Sequence, residues 1–199
     1  MRETRRGAGA LLLAPLLVPV LLASLVACGA GRSDEGSPPA QDDTSVYDDV
    51  RATASFDRRF REDYEALLEL PDGRAVLLRY APGGGSLLEQ HYSPQDDAWT
   101  SPQVLVESTE PDPCQGIDLT TDGDGLVAAV ADFGLYCYDG EPPQQSLALA
   151  SDGDLTEWDV DSTEGFDGWT DLAAVDGTAT WRGGQGERLT WNAADGFGR

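Results

Sequence analysis

The stretch Ile117-Asp-Leu-Thr-Thr-Asp-Gly-Asp-Gly-Leu-Val-Ala-Ala-Val-Ala131 is decisive for the fold of this chain. A short strand-like run at residues 117–119 is followed by a turn-forming tetrapeptide at 122–125 and by an apolar run at 126–131. Asp-Gly pairs between two strand-like runs are typical of a tight turn that joins antiparallel strands. The stretch therefore predicts a β-hairpin, and residues 64–80, with Pro71-Asp72-Gly73 between two apolar runs, predict another.

The hairpin pattern recurs along the chain. Asp72-Gly73, Asp124-Gly125 and Asp176-Gly177 follow one another at intervals of 52 residues. Each pair lies between a first strand-like run (67–70, 117–119, 172–175) and a second (75–80, 126–131, 178–181), and a third run follows (87–92, 135–138, 188–191). No segment after residue 70 has helical periodicity, so the sequence predicts an all-β fold.

The order of strand, Asp-Gly turn, strand and strand resembles the blade of a β-propeller, and Ser151-Asp-Gly-Asp-Leu-Thr-Glu-Trp158 resembles the Asp-box of sialidase-like propellers. The resemblance implies repeated antiparallel meanders, about three of them, forming an incomplete or open array. The third unit reaches Arg199 before a fourth strand is evident, and a strand near residues 46–56 is a candidate for that place. A β-sandwich or barrel is the alternative. Residues 56–68 fit either a short helix or an edge strand.

The amino-terminal segment carries the most specific motif. Arg2, Arg5 and Arg6 precede an uncharged, Leu-rich run, which ends in Leu25-Val-Ala-Cys28. This layout resembles a bacterial lipoprotein signal with its lipobox, of the actinobacterial type. The resemblance implies diacylglyceryl transfer to the Cys28 thiol and cleavage before Cys28. A permanent membrane-spanning helix is the alternative.

The motif divides the chain into three parts. Residues 1–27 are the predicted signal peptide, 28–50 a lipidated, disordered spacer rich in turn formers, and 51–199 a β-rich propeller-like domain. The predicted location is the outer face of the cell membrane, with the membrane as partner through the acyl anchor. The formal charge of −23, with no lysine, excludes nucleic acid as a partner, because such a field repels phosphate.

Cys114 and Cys137 remain once Cys28 is assigned to lipid. Two cysteines in an exported chain most often pair, so a Cys114–Cys137 disulfide is expected. A metal site or a catalytic thiol would need further ligands or a base, and His91 is the only histidine.

Two clusters of aspartates are candidate calcium ligands. The first is Asp118, Asp122 and Asp124, and the second is Asp152, Asp154 and Asp159. An EF-hand loop needs an Asp at its first position and a late Glu, where this chain has Thr120 and Ala131. Asp-Gly turns account for the same residues, so no metal and no cofactor is expected.

Catalytic machinery is not evident in the sequence. Sialidases gather arginines on the substrate carboxylate, whereas Arg74, Arg79, Arg182 and Arg188 are scattered. His91 lies in a strand-like context, so no catalytic residue is assigned. The five tryptophans (Trp99, Trp158, Trp169, Trp181, Trp191) are expected mostly in cores, with exposed ones available to bind sugars.

The function hypothesis is a non-enzymatic binding module with an unidentified protein or glycan ligand. The alternatives are a sialidase-like or other glycoside hydrolase, and a structural spacer protein.

Overall fold

The computed structural model describes residues 47–52, 64–110, 112–135 and 137–199. The predicted signal peptide, Cys28, nearly all of the predicted spacer and most of the ambiguous segment 56–68 lie outside these residues. The described part is all-β, as predicted: it contains fourteen strands in three antiparallel sheets and one short 3-10 turn at Cys137–Asp139, and no α-helix.

The first sheet has six strands. Its order is β1, β5, β4, β3 and β2, and β6 pairs with the other end of β4. The bounds are β1 Tyr47–Asp49, β2 Glu65–Glu69, β3 Ala75–Tyr80, β4 Ser86–Ser93, β5 Ala98–Thr100 and β6 Gln103–Glu107. The predicted hairpin at residues 64–80 is confirmed, because β2 and β3 pair antiparallel from Glu69 opposite Ala75 to Glu65 opposite Arg79.

The second and third sheets each consist of four successive strands. The second has the order β10, β9, β8, β7 and the third β11, β12, β13, β14, and none of the three described sheets closes on itself. The bounds are β7 Asp118–Thr121, β8 Val127–Phe133, β9 Gln145–Ser151, β10 Asp159–Glu164, β11 Trp169–Val175, β12 Thr178–Gly183, β13 Arg188–Asn192 and β14 Gly196–Gly198. The three Asp-Gly turns, which are spaced 52 residues apart, join β2 to β3, β7 to β8 and β11 to β12.

Two strand predictions were wrong. The strand predicted at residues 135–138 is not formed by the residues described there: Leu135 lies outside any strand, and Cys137 begins a 3-10 turn and is bonded to Cys114. β9 takes the predicted place in the sheet. The strand near residues 46–56 does not complete the third sheet either. β1 pairs with β5 of the first sheet, and β14 supplies the fourth strand of the third.

The second sheet is the middle layer of the core. Leu78, Tyr80 and Leu87 of the first sheet pack with a cluster that contains Phe133 and Leu147. The other face of β8 and β9, rich in alanine, packs against three large side chains of the third sheet: Trp169, Trp181 and Trp191. Small residues on β8 and β9 leave room for these indoles at ordinary sheet spacing. Most of the tryptophans therefore lie in the core, as expected.

Polar contacts tie the three sheets together. The Tyr80 hydroxyl donates to the Asp132 carbonyl at 3.0 Å and accepts from the Asp132 amide at 2.9 Å. The Trp181 Nε1–H donates to the Ala129 carbonyl at 2.9 Å. The predicted disulfide is present, with the Cys114 and Cys137 Cα atoms 5.2 Å apart, and it ties the segment before β7 to the 3-10 turn after β8.

Candidate functional site

A pair of aromatic side chains lines a groove on the first sheet. Tyr92 of β4 and Trp99 of β5 are directly opposite in the antiparallel ladder, and their ring centroids are 5.6 Å apart with an interplanar angle of 48°. Both are half-buried, so each keeps part of its ring in solvent. The Tyr92 hydroxyl donates to the Asp97 Oδ1 at 2.7 Å, which raises the pKa of the phenol.

The groove beside this pair has a volume of about 420 Å³. We call it the aromatic groove, and it is lined by Arg51, Leu67, Glu69, Leu70, Gly73, Ala75, Tyr92 and Trp99. Leu67 is 42% exposed and adds apolar surface to the groove. One cation and one carboxylate, Arg51 and Glu69, accompany the apolar and aromatic surface.

Arg51 reaches the groove because residues 47–52, which we call the strap, are held on the sheet. The buried Gln90 amide donates to the carbonyls of Val50 at 3.3 Å and Thr100 at 2.7 Å. Its Oε1 accepts from the Ala52 amide at 2.8 Å. The Arg51 guanidinium is paired with Glu65 of β2 at 3.1 Å. The Gln90 side chain therefore helps to hold the strap and Arg51 in place, together with the β1–β5 pairing and the Arg51–Glu65 ion pair.

The other face of β4 holds a buried acid–imidazole pair. The Glu89 Oε1 and His91 Nδ1 atoms are 2.7 Å apart, and both side chains are fully buried. Burial raises the pKa of Glu89, and the hydrogen bond and charge of His91 oppose that shift. Tyr47 of the strap packs edge-on against the His91 ring, with centroids 5.4 Å apart. His91 therefore belongs to the surface on which the strap packs.

The arginines proposed for a sialidase-like site are dispersed. Arg74 bonds Asp72 within its own turn and the Gly153 carbonyl of the β9–β10 loop. Arg79 is buried on β3 next to Glu65, and burial lowers its pKa. Arg182 and Arg188 are opposite each other in the third sheet. The aromatic groove contains none of these four.

The candidate calcium residues act within turns. The Asp122 Oδ1 accepts from the amides of Asp124 and Leu126, at 2.9 and 3.2 Å, and its Oδ2 accepts from the Gly177 amide at 2.9 Å. Burial alone would raise the pKa of Asp122, but these amide hydrogen bonds lower it overall.

In the second acidic group, Asp154 accepts from the hydroxyl and amide of Thr156, which lowers its pKa. Asp159 accepts from the Trp191 indole at 2.7 Å. Across residues 47–199, as far as the structure describes them, no three His, Cys, Asp or Glu side chains are placed to share a metal ion.

Sequence reasoning did not find Gln90, Glu89 or Arg51. Glu89-Gln-His-Tyr92 has the composition of an exposed polar strand, whereas three of these four side chains are buried. Alternation along a strand assigns residues to two faces, but it does not say that both faces are covered.

No protein-family model matches the sequence, and no curated protein matches it. In the part of the chain that the structure describes, no helix is long and apolar enough to span a membrane.

Proposed function

We propose that this protein is an extracytoplasmic lipoprotein, anchored through Cys28, whose domain at residues 51–199 is a non-enzymatic module that binds a neutral glycan in the aromatic groove. The observation that carries the ligand site is the half-exposed Tyr92–Trp99 pair, with Arg51 and Glu69 in the same groove. The anchor is supported by the lipobox-like end of the apolar run. An oxidising location is supported by the disulfide.

The chemistry of the groove favours a sugar. The C–H face of a pyranose ring packs on an aromatic ring, and its vicinal hydroxyls bond a guanidinium and a carboxylate. The formal charge of −23 disfavours acidic ligands, because they would approach against a repulsive field. A neutral saccharide fits both the local lining and the global charge.

We further propose that the domain is an open, propeller-like array of three meanders. Support comes from the turns at 52-residue intervals and from the four-strand order of the second and third sheets. The outer face of the third sheet is polar, since it carries Thr178, Thr180, Arg182, Arg188, Thr190 and Asn192, which alternate with core residues. Stacking a further sheet there would desolvate the charged side chains of Arg182, Arg188 and Asp171, the residue opposite Arg182, at a cost of several kcal/mol.

The hydrolase alternative lacks an observation in its favour. The Asp-box-like segment 151–158 forms the β9–β10 loop, in which Leu155 is fully buried and packs with Leu70, Val76 and Val127. Its Gly153 carbonyl accepts from Arg74, so the loop attaches the second sheet to the first. The packing of Leu155 and the contact with Arg74 give this loop a structural role, so its sequence does not require a catalytic function.

The ligand proposal is tested by glycan-array screening of the purified full chain, followed by calorimetry with the best neutral oligosaccharide. Trp99→Ala should weaken binding about five- to thirtyfold, because one aromatic stacking surface is worth on the order of 1–2 kcal/mol. Tyr92→Phe, which keeps the ring, should bind nearly as the natural protein does. Binding that survives Trp99→Ala, or a preference for peptides over glycans, would remove the groove from this role.

The anchor is tested separately. Cys28→Ala should move the protein out of the detergent phase in Triton X-114 partitioning, because two or more acyl chains are needed for stable attachment. Unchanged partitioning of this variant would contradict the lipobox assignment and would leave the groove proposal untouched.

A further inference from the structure

Asp132 is a buried acid at the junction of the second and third sheets. It continues the row Leu126, Ala128 and Val130 on the face of β8 that packs against the third sheet. The residue is 1% exposed, and its Oδ1 has no hydrogen-bond partner among the described residues. An ionised carboxylate with an unsatisfied oxygen in such a place is costly, whereas the neutral acid is tolerated.

The carboxyl group is linked through Ser146 to Trp169, the first residue of the third sheet. Ser146, opposite Asp132 in the β8–β9 ladder, bonds the carboxyl, and its Oγ also accepts from the Trp169 amide at 3.2 Å. On the far side lies Gly168, with a φ of +88°; a Cβ on it would be 3.0 Å from the Pro143 Cγ and 3.8 Å from the Asp132 Oδ1. Asp132, Ser146, Pro143 and the 168–169 backbone therefore form one contiguous contact.

We propose that Asp132 is a proton-operated latch between the second and third sheets. In its protonated form it holds Gly168 and Trp169 against Pro143, and on ionisation it loosens this junction. The loosened contact lies beside a groove of about 410 Å³ that is lined by Pro142, Pro143, Gln144 and Gly165 among others, so that groove widens when the latch opens.

The surrounding charges favour the protonated state. Burial raises the pKa of Asp132 to about 7, the hydrogen bond from Ser146 opposes that shift, and the negative charge of Asp118 on β7 adds to it. From β3, the Tyr80 hydroxyl bonds the backbone of Asp132 and the Gln115 carbonyl, and it does not bond the Asp132 carboxyl group. Asp167 is bonded to Gln185, and Asp139 and Glu141 lie on the rim of the groove. No arginine or histidine among the described residues contributes to the shift.

The sign of the pH dependence follows. The folded-state pKa lies above the ordinary value of 3.8, so the stabilisation is fully present below that value and is lost as the pH rises to about 7. Within this window each pH unit lowers the folding equilibrium constant by up to about tenfold through this one group.

The test compares the natural full chain with Asp132→Asn, whose amide imitates the neutral acid, in urea unfolding between pH 5 and pH 8. The ratio of their folding equilibrium constants should shift by at least about tenfold in favour of the variant as the pH rises. A ratio that stays constant within twofold would overturn the proposal.

Two further measurements keep the test decisive if Asp132→Asn folds poorly. Ser146→Ala removes the hydrogen bond that opposes the shift, so the stability transition should move to higher pH; movement to lower pH would contradict the latch. In the natural protein, hydrogen exchange of the Trp169 amide, corrected for base catalysis, should accelerate above pH 7 relative to the Val130 amide in the β7–β8 ladder. Equal exchange behaviour of the two amides would also overturn it.

Discussion

Asp122 shows how one side chain connects two sheets. Its two oxygens accept three backbone amides, two from its own β7–β8 turn and one from Gly177 in the β11–β12 turn. Asp124, two residues later, is exposed, and its carboxylate accepts no hydrogen bond from the described residues. The two aspartates thus form a natural pair for comparison.

We expect Asp122→Ala to lower the free energy of unfolding by about 1 kcal/mol, since partly exposed charge-assisted hydrogen bonds are lost. Asp124→Ala should change it by less than about 0.5 kcal/mol. The pKa of Asp122 is lowered in the folded state, so its stabilisation is present at neutral pH and fades as the pH falls below the ordinary value of 3.8. Urea titrations at pH 7 and pH 3 check both statements. Equal losses for the two variants would contradict the turn-to-turn link.

For individual residues, the sequence predicted the contacts of those side chains whose chemistry allows few alternatives. Cys114 and Cys137 were predicted to pair once Cys28 was assigned to lipid, and they form a disulfide. Asp132 and Glu89 could not be found in the same way, because an acid in a strand is normally exposed. Their burial depends on a neighbouring sheet or strap covering the side to which they point, and no local pattern encodes that covering.

The strands themselves were largely predictable. The apolar run 75–80 coincides with β3, and each Asp-Gly turn joins two strands as expected. The prediction failed where a tertiary constraint overrode a short apolar run. Residues 135–138 read as a strand, but the disulfide and the following Pro142-Pro143 favour a tight turn there. The pairing of β1 with β5 could not be predicted from the sequence either, because three residues are too few for their alternation of apolar and polar side chains to specify a partner strand.

The strap is expected to depend on Gln90. Gln90→Ala removes three hydrogen bonds to and beside residues 50–52, so amide exchange of the peptide covering the strap should accelerate at least about tenfold. Exchange in β8 and β9 should change much less. Binding in the aromatic groove should weaken as well, since Arg51 is displaced.

Gln103→Ala is the matched control, because Gln103 is exposed on β6 of the same sheet. Identical exchange of the strap in the two variants would show that Gln90 does not hold it.

At the scale of the whole molecule, the dominant quantity is the formal charge of −23. The described residues form few ion pairs, among them Arg51–Glu65, Arg74–Asp72 and Arg199–Asp161. Most carboxylates therefore repel one another across the surface. Salt screens this repulsion, with a Debye length that falls from about 30 Å at 0.01 M to about 10 Å at 0.1 M.

We expect the melting temperature to rise by several degrees between about 10 mM and 500 mM sodium chloride. Scanning calorimetry at pH 7 measures this, with glycerol at equal osmolality as the uncharged control. A melting temperature that is flat or falls with salt would mean that attractive pairs, rather than repulsion, dominate the surface.

The order of the strands has a consequence for how the chain acquires its structure. Every pairing in the second and third sheets joins strands that are consecutive in the sequence, and the same holds for β2, β3, β4 and β5 in the first. Short loops close quickly, so each sheet can assemble as soon as its own segment has emerged. A chain that emerges amino terminus first can therefore fold one sheet at a time. One face of the alanine-rich second sheet stays uncovered until Trp169, Trp181 and Trp191 of the third sheet have emerged.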